Sequence, residues 1–306
     1  ISEMNKSLQK IKQRDKELEE INKLQKEKKN LNYSDKKKLN QFLKRQQQQE
    51  KLMQEYSRKM KENLQNFQKD APNNDPVKNK LEERFQRNEE QLKKNEELLK
   101  ELQKIQDKIN KEELSEKLEK LAKQNQNEEK NLEQLLQLTK RYYVEKKALK
   151  LADELNNLAK KQEELSKDST ESNNAEKQKE LNEEFEQIER DMQELQKENE
   201  KLKDPMSIPN DKHKQEQVKT DQEEATKKLE QEQNVSSEDK KKEQKSGAQE
   251  KQKNAAEKMK EMSQDISSQM EQSGKEGLTE DAEMLRQILD NLVTFSFEQE
   301  NLMEQL

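Results

Sequence analysis

Residues 114–165 carry apolar side chains that return every three or four positions, and no Gly or Pro interrupts the run. This period places the apolar side chains on one stripe of an α-helix. Further apolar side chains widen the stripe in residues 132–159, and a wide stripe requires more than one neighbouring helix. The stripe comprises Leu114, Leu118, Leu121, Asn125, Glu128, Leu132, Leu135, Thr139, Tyr142, Lys146 and Leu149. The pattern predicts a long helix at the packing centre of a helical assembly.

The composition excludes an ordinary globular domain. Only 26% of the residues are hydrophobic and 42% are charged, whereas an ordinary domain is roughly half apolar and about one quarter charged. Disordered chains are usually enriched in Pro and Gly, but this chain has 4 Pro and 3 Gly. Its abundant Lys, Glu, Gln and Leu are good helix formers. We therefore expect an all-α protein with elongated coiled-coil helices that form antiparallel hairpins or small bundles.

Polar residues interrupt the apolar stripes of the first half of the chain. The stripe of residues 35–69 comprises Leu39, Phe42, Gln46, Gln49, Met53, Tyr56, Met60, Asn63 and Phe67. The following stripe comprises Leu81, Phe85, Asn88, Leu92, Asn95, Leu99 and Leu102. Polar side chains at such positions restrict helix register and partner number. The run of four Gln at 46–49 is equally well explained as low-complexity drift.

Breaks in the patterns divide the chain into four segments. We expect basic coiled-coil helices in residues 1–70 and a central long helix and hairpin in residues 76–204. Residues 210–250 contain few apolar side chains, which predicts a polar tether or frayed helix. A C-terminal helical hairpin is expected in residues 250–306.

Two pairings follow from the clean stripe of residues 175–203, which comprises Leu181, Phe185, Ile188, Met192, Leu195, Asn199 and Leu202. A polar loop precedes this segment, so it is the first candidate to fold back on residues 132–165. The apolar helix 280–306 is a second candidate neighbour. Whether residues 76–165 form one rod or a hairpin stays open.

Capping residues predict where several helices begin. Ser34 is a plausible N-cap, and Asp75 followed by Pro76 is typical of an N-cap with proline at the first helical position. Thr279 is a plausible N-cap for the last helix. The preceding helix is expected to end at Gly274 and Gly277.

The charge distribution is uneven. Residues 1–70 contain 19 Lys or Arg against 11 Asp or Glu, whereas the whole chain has a net charge of −6. A basic N-terminal third could bind nucleic acid, but clustered Arg and stacking aromatic residues, which such binders usually add, are missing. A solvated Lys-rich helix face explains the same residues.

The sequence offers no recognisable catalytic or metal site. His213 is the single histidine and the chain has no cysteine, so a transition-metal site and His-dependent catalysis are not expected. Gly247, Gly274 and Gly277 fit no phosphate-binding loop. We therefore expect no enzyme activity, no cofactor and no small-molecule substrate. No apolar run approaches the ~20 residues of a membrane helix.

Apolar and aromatic residues mark candidate helix-packing or partner surfaces. Tyr142 and Tyr143 could form a recognition spot, because Tyr offers a large contact area with a polar tip. The alternative is that Tyr142 fills the stripe and Tyr143 covers its edge. The full candidate set is Leu132, Leu135, Tyr142, Tyr143, Leu149, Leu155, Leu285, Leu289, Leu292, Phe295, Phe297 and Met303.

Three stretches carry a resemblance: LTKRYYVEKKALKLADELNNLAKKQEELS (138–166), FEQIERDMQELQKENEKLKDP (185–205) and MLRQILDNLVTFSFEQENLM (284–303). They resemble a family of large bacterial envelope proteins that carry a domain of unknown function. Its members have membrane-spanning helices near the N-terminus, followed by a long coiled-coil region rich in Gln, Lys and Glu. The resemblance covers residues 110–306, and the family has no assigned activity or site.

The chain begins and ends within helical patterns, so we expect it to be a segment of a larger protein. The expected function is a non-enzymatic scaffold or spacer in the cell envelope that contacts other proteins, or copies of itself, through helix faces. Membrane anchoring would lie in regions outside this segment, and a cytoplasmic location is the alternative. The other hypotheses are a coupling or regulatory arm of an enzyme and nucleic-acid binding by the basic N-terminal third.

Overall fold

A computed structural model describes residues 2–28, 32–66, 75–105 and 111–304, and its side chains are described there except for 2–4, 7, 105, 111 and 275–304. The chain is all-α, as predicted. Its helices are α1 (Ser2–Glu27), α2 (Tyr33–Asn66), α3 (Pro76–Ile105), α4 (Lys111–Lys167), α5 (Ala175–Asn199), α6 (Lys212–Asn234) and α7 (Glu238–Glu304). They fall into two compact units, unit 1 (Ile1–Tyr142) and unit 2 (Tyr143–Leu306).

Side-chain caps fix the starts of α2 and α3. The Asp75 carboxylate accepts hydrogen bonds from the backbone N–H groups of Val77 and Lys78, so the predicted cap before Pro76 is confirmed. The predicted Ser34 cap is wrong. Asn32 accepts from the backbone N–H of Asp35, and Asp35 accepts from that of Asn32. This reciprocal pair satisfies two free N–H groups, which a cap at Ser34 would not do.

Unit 1 is a bundle of four antiparallel helices: α1, α2, α3 and residues 111–142 of α4. Each neighbouring pair is joined by contacts whose residue numbers rise on one helix as they fall on the other. Glu17–Arg45 and Lys28–Asp35 join α1 to α2, and Gln47–Gln103 and Ser57–Asn88 join α2 to α3. Asn95–Glu128 and Glu101–Lys117 join α3 to α4, and Lys12–Glu129 and Lys26–Glu119 join α1 to α4. The bundle is therefore closed in the order α1, α2, α3, α4.

Contacts between α3 and α4 decide whether residues 76–165 form one rod or a hairpin. The Lys117 ammonium donates to the Glu101 carboxylate at 2.7 Å, so α3 and α4 lie side by side. Leu98, Leu99 and Leu102 share one apolar cluster with residues of α4. The segment is a hairpin and not a single rod, because only a hairpin lets both stripes bury against each other.

Unit 2 is a second antiparallel four-helix bundle, built from residues 143–167 of α4 with α5, α6 and α7. The predicted return of residues 175–203 over α4 is seen in Lys161–Glu184 and Gln162–Gln178. Lys179–Glu230 and Lys219–Glu189 join α5 to α6, and Lys214–Asp265 and Lys245–Glu232 join α6 to α7. The Ser263 hydroxyl of α7 donates to the Ala152 carbonyl of α4. The unit 2 core contains Phe185, Ile188 and Met192 of the predicted α5 stripe.

The polar tether or frayed helix expected at 210–250 is instead packed helix, because residues 212–234 form α6, which packs against α5 and α7. Its buried face combines a few apolar side chains with polar ones, including Val218, Asp221 and Gln222. Asp221 pairs with Lys251 and Lys258 of α7. Apolar content alone underestimates such a face, because partner helices satisfy its polar groups.

The expected hairpin at 250–306 is also wrong, because the backbone of α7 continues through Gly274, Gly277 and Thr279. Glycine inside a helix costs about 1 kcal/mol relative to alanine and does not force a helix to end. Thr279 therefore lies within α7 and is not its N-cap. One face of α7 is apolar and buried, with Ala255, Met259, Met262, Ile266 and Met270 at intervals of three or four residues.

The Asn174 cap of α5 offers a test of local helix stability. Its side chain accepts a hydrogen bond from the backbone N–H of Lys177. We expect Asn174→Ala to lower the free energy of unfolding of unit 2 by about 1 kcal/mol, because one N–H loses its partner. Urea unfolding followed by circular dichroism measures the change. Asn174→Gly is the control, since glycine at a cap costs only a few tenths of a kcal/mol.

Candidate functional site: two buried polar layers

Unit 1 contains a buried charged layer to which every helix of the bundle contributes. Its members are Arg14 of α1, Gln46 and Glu50 of α2, Asn95 of α3, and Asn125 and Glu128 of α4; we call this set the charged layer. Arg14 is 6% exposed and both glutamates are fully buried. Buried charges are rare unless they are paired, so this layer is the chemically most distinctive part of unit 1.

Arg14 lies between the two glutamates. Its guanidinium nitrogens lie 3.4 Å from Glu50 Oε1 and 3.5 Å from Glu128 Oε2. The Asn95 amide donates to Glu128 Oε2 at 2.9 Å. One positive charge therefore faces two carboxyl groups, and the layer carries one excess negative charge if both are ionised.

A proton on one carboxyl group offsets this excess charge. Protonation of one of the two groups allows a hydrogen bond between the Glu50 and Glu128 side chains, which contributes to the pKa shifts of both. A carboxyl group donates only when protonated. Burial, reinforced by the charge of Glu128, raises the pKa of Glu50 well above its usual range. Burial also raises the pKa of Glu128, whereas Arg14 opposes that rise.

The amides of Gln46 and Asn125 complete the charged layer. The Gln46 amide donates to Asn125 Oδ1 at 3.0 Å and to Glu50 Oε1 at 3.3 Å. Five buried polar atoms of the layer have no hydrogen-bond partner: Arg14 Nε, Gln46 Oε1, Glu50 Oε2, Asn125 Nδ2 and Glu128 Oε1. A proton shared by the two carboxyl groups supplies the donor that their free oxygens lack.

A second carboxyl pair lies beside the charged layer. Asp15 of α1 is hydrogen-bonded to Glu129 of α4, and partial burial raises the pKa of Asp15 to about 6, although Arg14 opposes this. Glu129 also pairs with Lys12 at 3.5 Å. Two carboxyl pairs therefore join α4 to its neighbours at this level of unit 1.

Unit 2 contains a buried layer of neutral amides instead. Each of its four helices contributes one glutamine: Gln162, Gln178, Gln222 and Gln252, which we call the glutamine layer. Gln178 is fully buried; it exchanges two hydrogen bonds with Gln162 and accepts a third from Gln252 at 2.9 Å. Gln222 donates to Gln162 at 3.2 Å.

Two asparagines extend the glutamine layer. Asn173, in the loop before α5, exchanges two hydrogen bonds with Gln252 and donates to the Leu165 carbonyl. Asn182 accepts from Gln178 and donates to the Thr226 hydroxyl. Every glutamine of this layer therefore has partners, and a fully satisfied polar network specifies one arrangement of its helices.

Of the six predicted helix-packing or partner residues whose side chains the structure describes, four lie inside the bundles. Leu132, Leu135 and Tyr142 are buried in unit 1, and Leu155 is buried in unit 2. Leu149 is partly buried against the unit 2 core, and burial raises the pKa of the half-buried Tyr143. The Tyr142 hydroxyl donates to the Asp75 carboxylate at 3.4 Å. The other predicted positions, Leu285, Leu289, Leu292, Phe295, Phe297 and Met303, lie outside the described side chains.

Sequence reasoning found four of the six residues of the charged layer. It placed Gln46, Asn95, Asn125 and Glu128 on apolar stripes but missed Arg14 and Glu50. The signal for Arg14 was the seven-residue gap between Ile11 and Leu18, both buried, with Arg14 midway. The predicted stripe contained Gln49, which is only half-buried, in place of its buried neighbour Glu50. The glutamine layer went unnoticed because Gln is abundant on the exposed faces as well.

The parts of the chain that the structure describes contain no group of three or more His, Cys, Asp or Glu arranged to hold a metal ion. His213 is exposed on α6. Among the described helices, none combines the length and apolarity needed to cross a membrane. Both polar layers are buried, which suits holding helices in register.

Comparisons of the chain with family models, with curated proteins and with solved structures find no match.

Proposed function

We propose that this chain is a non-enzymatic scaffold or spacer segment of a larger cell-envelope protein, which contacts other proteins through its outward helix faces. The observation that carries the proposal is that each unit has a polar layer to which all four of its helices contribute. A polar residue at a stripe position restricts helix register at a cost in stability. That cost is useful in a protein whose task is to hold a fixed helix arrangement.

The surface of the bundles supports protein contact through polar faces. Of the large hydrophobic side chains that the structure describes, only Tyr33 and Leu52 are classed as exposed. The outward faces carry ion pairs such as Arg45–Glu17 and Lys214–Asp265. Charged faces favour selectivity and association rate more than raw affinity, so we expect reversible partners whose binding weakens with salt.

Site-specific photo-crosslinking in the full chain tests the contact with partners. The crosslinking residue replaces in turn Gln41, Gln48 and Glu55, which lie exposed on one face of α2, and Glu216, Glu223 and Lys227, exposed on α6. A partner on a helix face should give the same adduct from neighbouring positions of that face. Phe42, which is buried, is the control and should give none. The proposal would be contradicted if none of the outward positions gave a defined adduct.

The envelope location rests on the resemblance of residues 110–306 alone. The complete reading frame is the cheapest test of it. Membrane-spanning helices upstream of this segment would support the envelope scaffold. A nucleotide-binding motif in the same reading frame would favour the coupling arm of an enzyme instead.

A further inference from the structure

We propose that the Glu50–Glu128 carboxyl pair is a proton-binding site, and that its proton sets how tightly α1 and α2 close on α4 in unit 1. The inference goes beyond the scaffold function and does not depend on it. It rests on the arrangement of the charged layer, in which two fully buried carboxyl groups lie against one guanidinium and each keeps one oxygen without a hydrogen-bond partner.

The groups that face this pair come from every helix of the bundle. α1 contributes Arg14, with Asp15 and Lys12 beside it at the same level. α3 contributes the Asn95 amide. On α4, Glu129 follows Glu128 and is hydrogen-bonded to Asp15. Arg14 and Lys12 thus face the four carboxyl groups of Asp15, Glu50, Glu128 and Glu129. When these groups lose their protons, the carboxylates of α4 repel the carboxylates of α1 and α2.

The sequence limits which groups can respond near neutral pH. Unit 1 contains no histidine, because the single histidine of the chain is His213, and the chain has no cysteine. Ordinary carboxyl, lysine and tyrosine side chains titrate well outside pH 5 to 8. A side-chain response of unit 1 in this range must therefore come from perturbed groups such as the two carboxyl pairs.

The direction of the response follows from the raised pKa of Glu50. The folded state holds this proton at pH values where the unfolded chain has released it, so unfolding releases a proton. Stability from this group is fully present below the ordinary glutamate pKa and is lost as the pH rises through the folded pKa. Unit 1 should thus open more easily as the pH rises, which is the reverse of ordinary acid unfolding.

Hydrogen exchange of the full chain, resolved by segment and corrected for the intrinsic effect of pH, tests the proposal. We expect protection in α1 and α2 to fall as the pH rises above 6.5, by up to about tenfold per pH unit, the limit for one released proton. Protection in α5 and α6 is the internal control, because the glutamine layer does not titrate. Equal protection of α1 and α2 across this range would overturn the proposal.

Glu50→Gln imitates the protonated side chain and is the decisive variant. It should raise the protection of α1 and α2 at pH 8 and abolish its pH dependence above 6.5. Glu101→Gln is the matched control, since Glu101 pairs with Lys117 on the exposed surface, and its pH dependence should equal that of the unaltered chain. A Glu50→Gln chain that is less protected at pH 8, or that keeps the pH dependence, would refute the proton site.

Infrared spectroscopy of the unaltered chain gives a second test that does not require a variant to fold. A protonated carboxylic acid has a C=O stretching band that carboxylates lack. We expect this band at pH 7 and its loss at alkaline pH. The absence of the band at pH 7 would contradict the proposal. Asp15→Asn should leave it in place at pH 7, because the pKa of Asp15 is only about 6.

Discussion

Arg14→Leu is expected to lower the free energy of unfolding of unit 1 by about 3–5 kcal/mol at pH 7, because it leaves a buried carboxylate without its counter-ion. Arg14 is the only cation of the charged layer, and it reaches both Glu50 and Glu128. Segment-resolved hydrogen exchange of α1–α3 measures the loss. The loss in free energy of unfolding should become smaller as the pH falls, since protonation of Glu128 removes the unpaired charge.

Arg45→Leu is the matched control for this prediction. Arg45 also pairs with a glutamate of a neighbouring helix, Glu17, at 3.2 Å, but its side chain is 63% exposed. Exposed ion pairs contribute about 0–1 kcal/mol. Equal losses from Arg14→Leu and Arg45→Leu would show that the charged layer has no special role in unit 1.

Gln178→Leu should lower the free energy of unfolding of unit 2 by about 2–3 kcal/mol. The substitution removes the Gln178 amide nitrogen, which donates to Gln162 and Asn182. It also removes the amide oxygen, which accepts from Gln252. A buried amide left without a partner costs about 1–3 kcal/mol, and Gln162 loses the most. Urea unfolding monitored by circular dichroism measures the change, and the exposed Gln187→Leu of α5 is the control, expected within about 0.5 kcal/mol of zero.

Replacing all four glutamines by leucine should cost less than Gln178→Leu alone. Apolar replacement of a buried polar network is often neutral or stabilising, because the partners are removed together. The two asparagines that remain keep other bonds, Asn173 to the Leu165 carbonyl and Asn182 to the Thr226 hydroxyl. The expected loss is in specificity, since leucine layers fix helix register less strictly. A quadruple variant whose loss equals the sum of the four single losses would show that the glutamine layer stabilises unit 2 and does not merely specify it.

The apolar period predicted much of the fold. All seven positions of the stripe from Leu81 to Leu102 are buried, as are all seven from Leu181 to Leu202. This success has a simple reason: a helix with one apolar stripe must bury it, whichever partner it finds. The same rule failed for α6, whose buried face contains Gln215, Asp221 and Gln222, because burial there depends on partners that lie far away in the sequence.

The sequence by itself determined that this protein is helical and which side of each strongly apolar helix faces inward, because helix propensity and period are local properties. The tertiary structure alone decided that α3 folds back on α4 and that the helices form two closed bundles. It also decided the role of Arg14 and Glu50. A charged side chain at a stripe position is buried only where other helices supply its counter-charge and hydrogen bonds, and those come from residues 36 and 114 positions away.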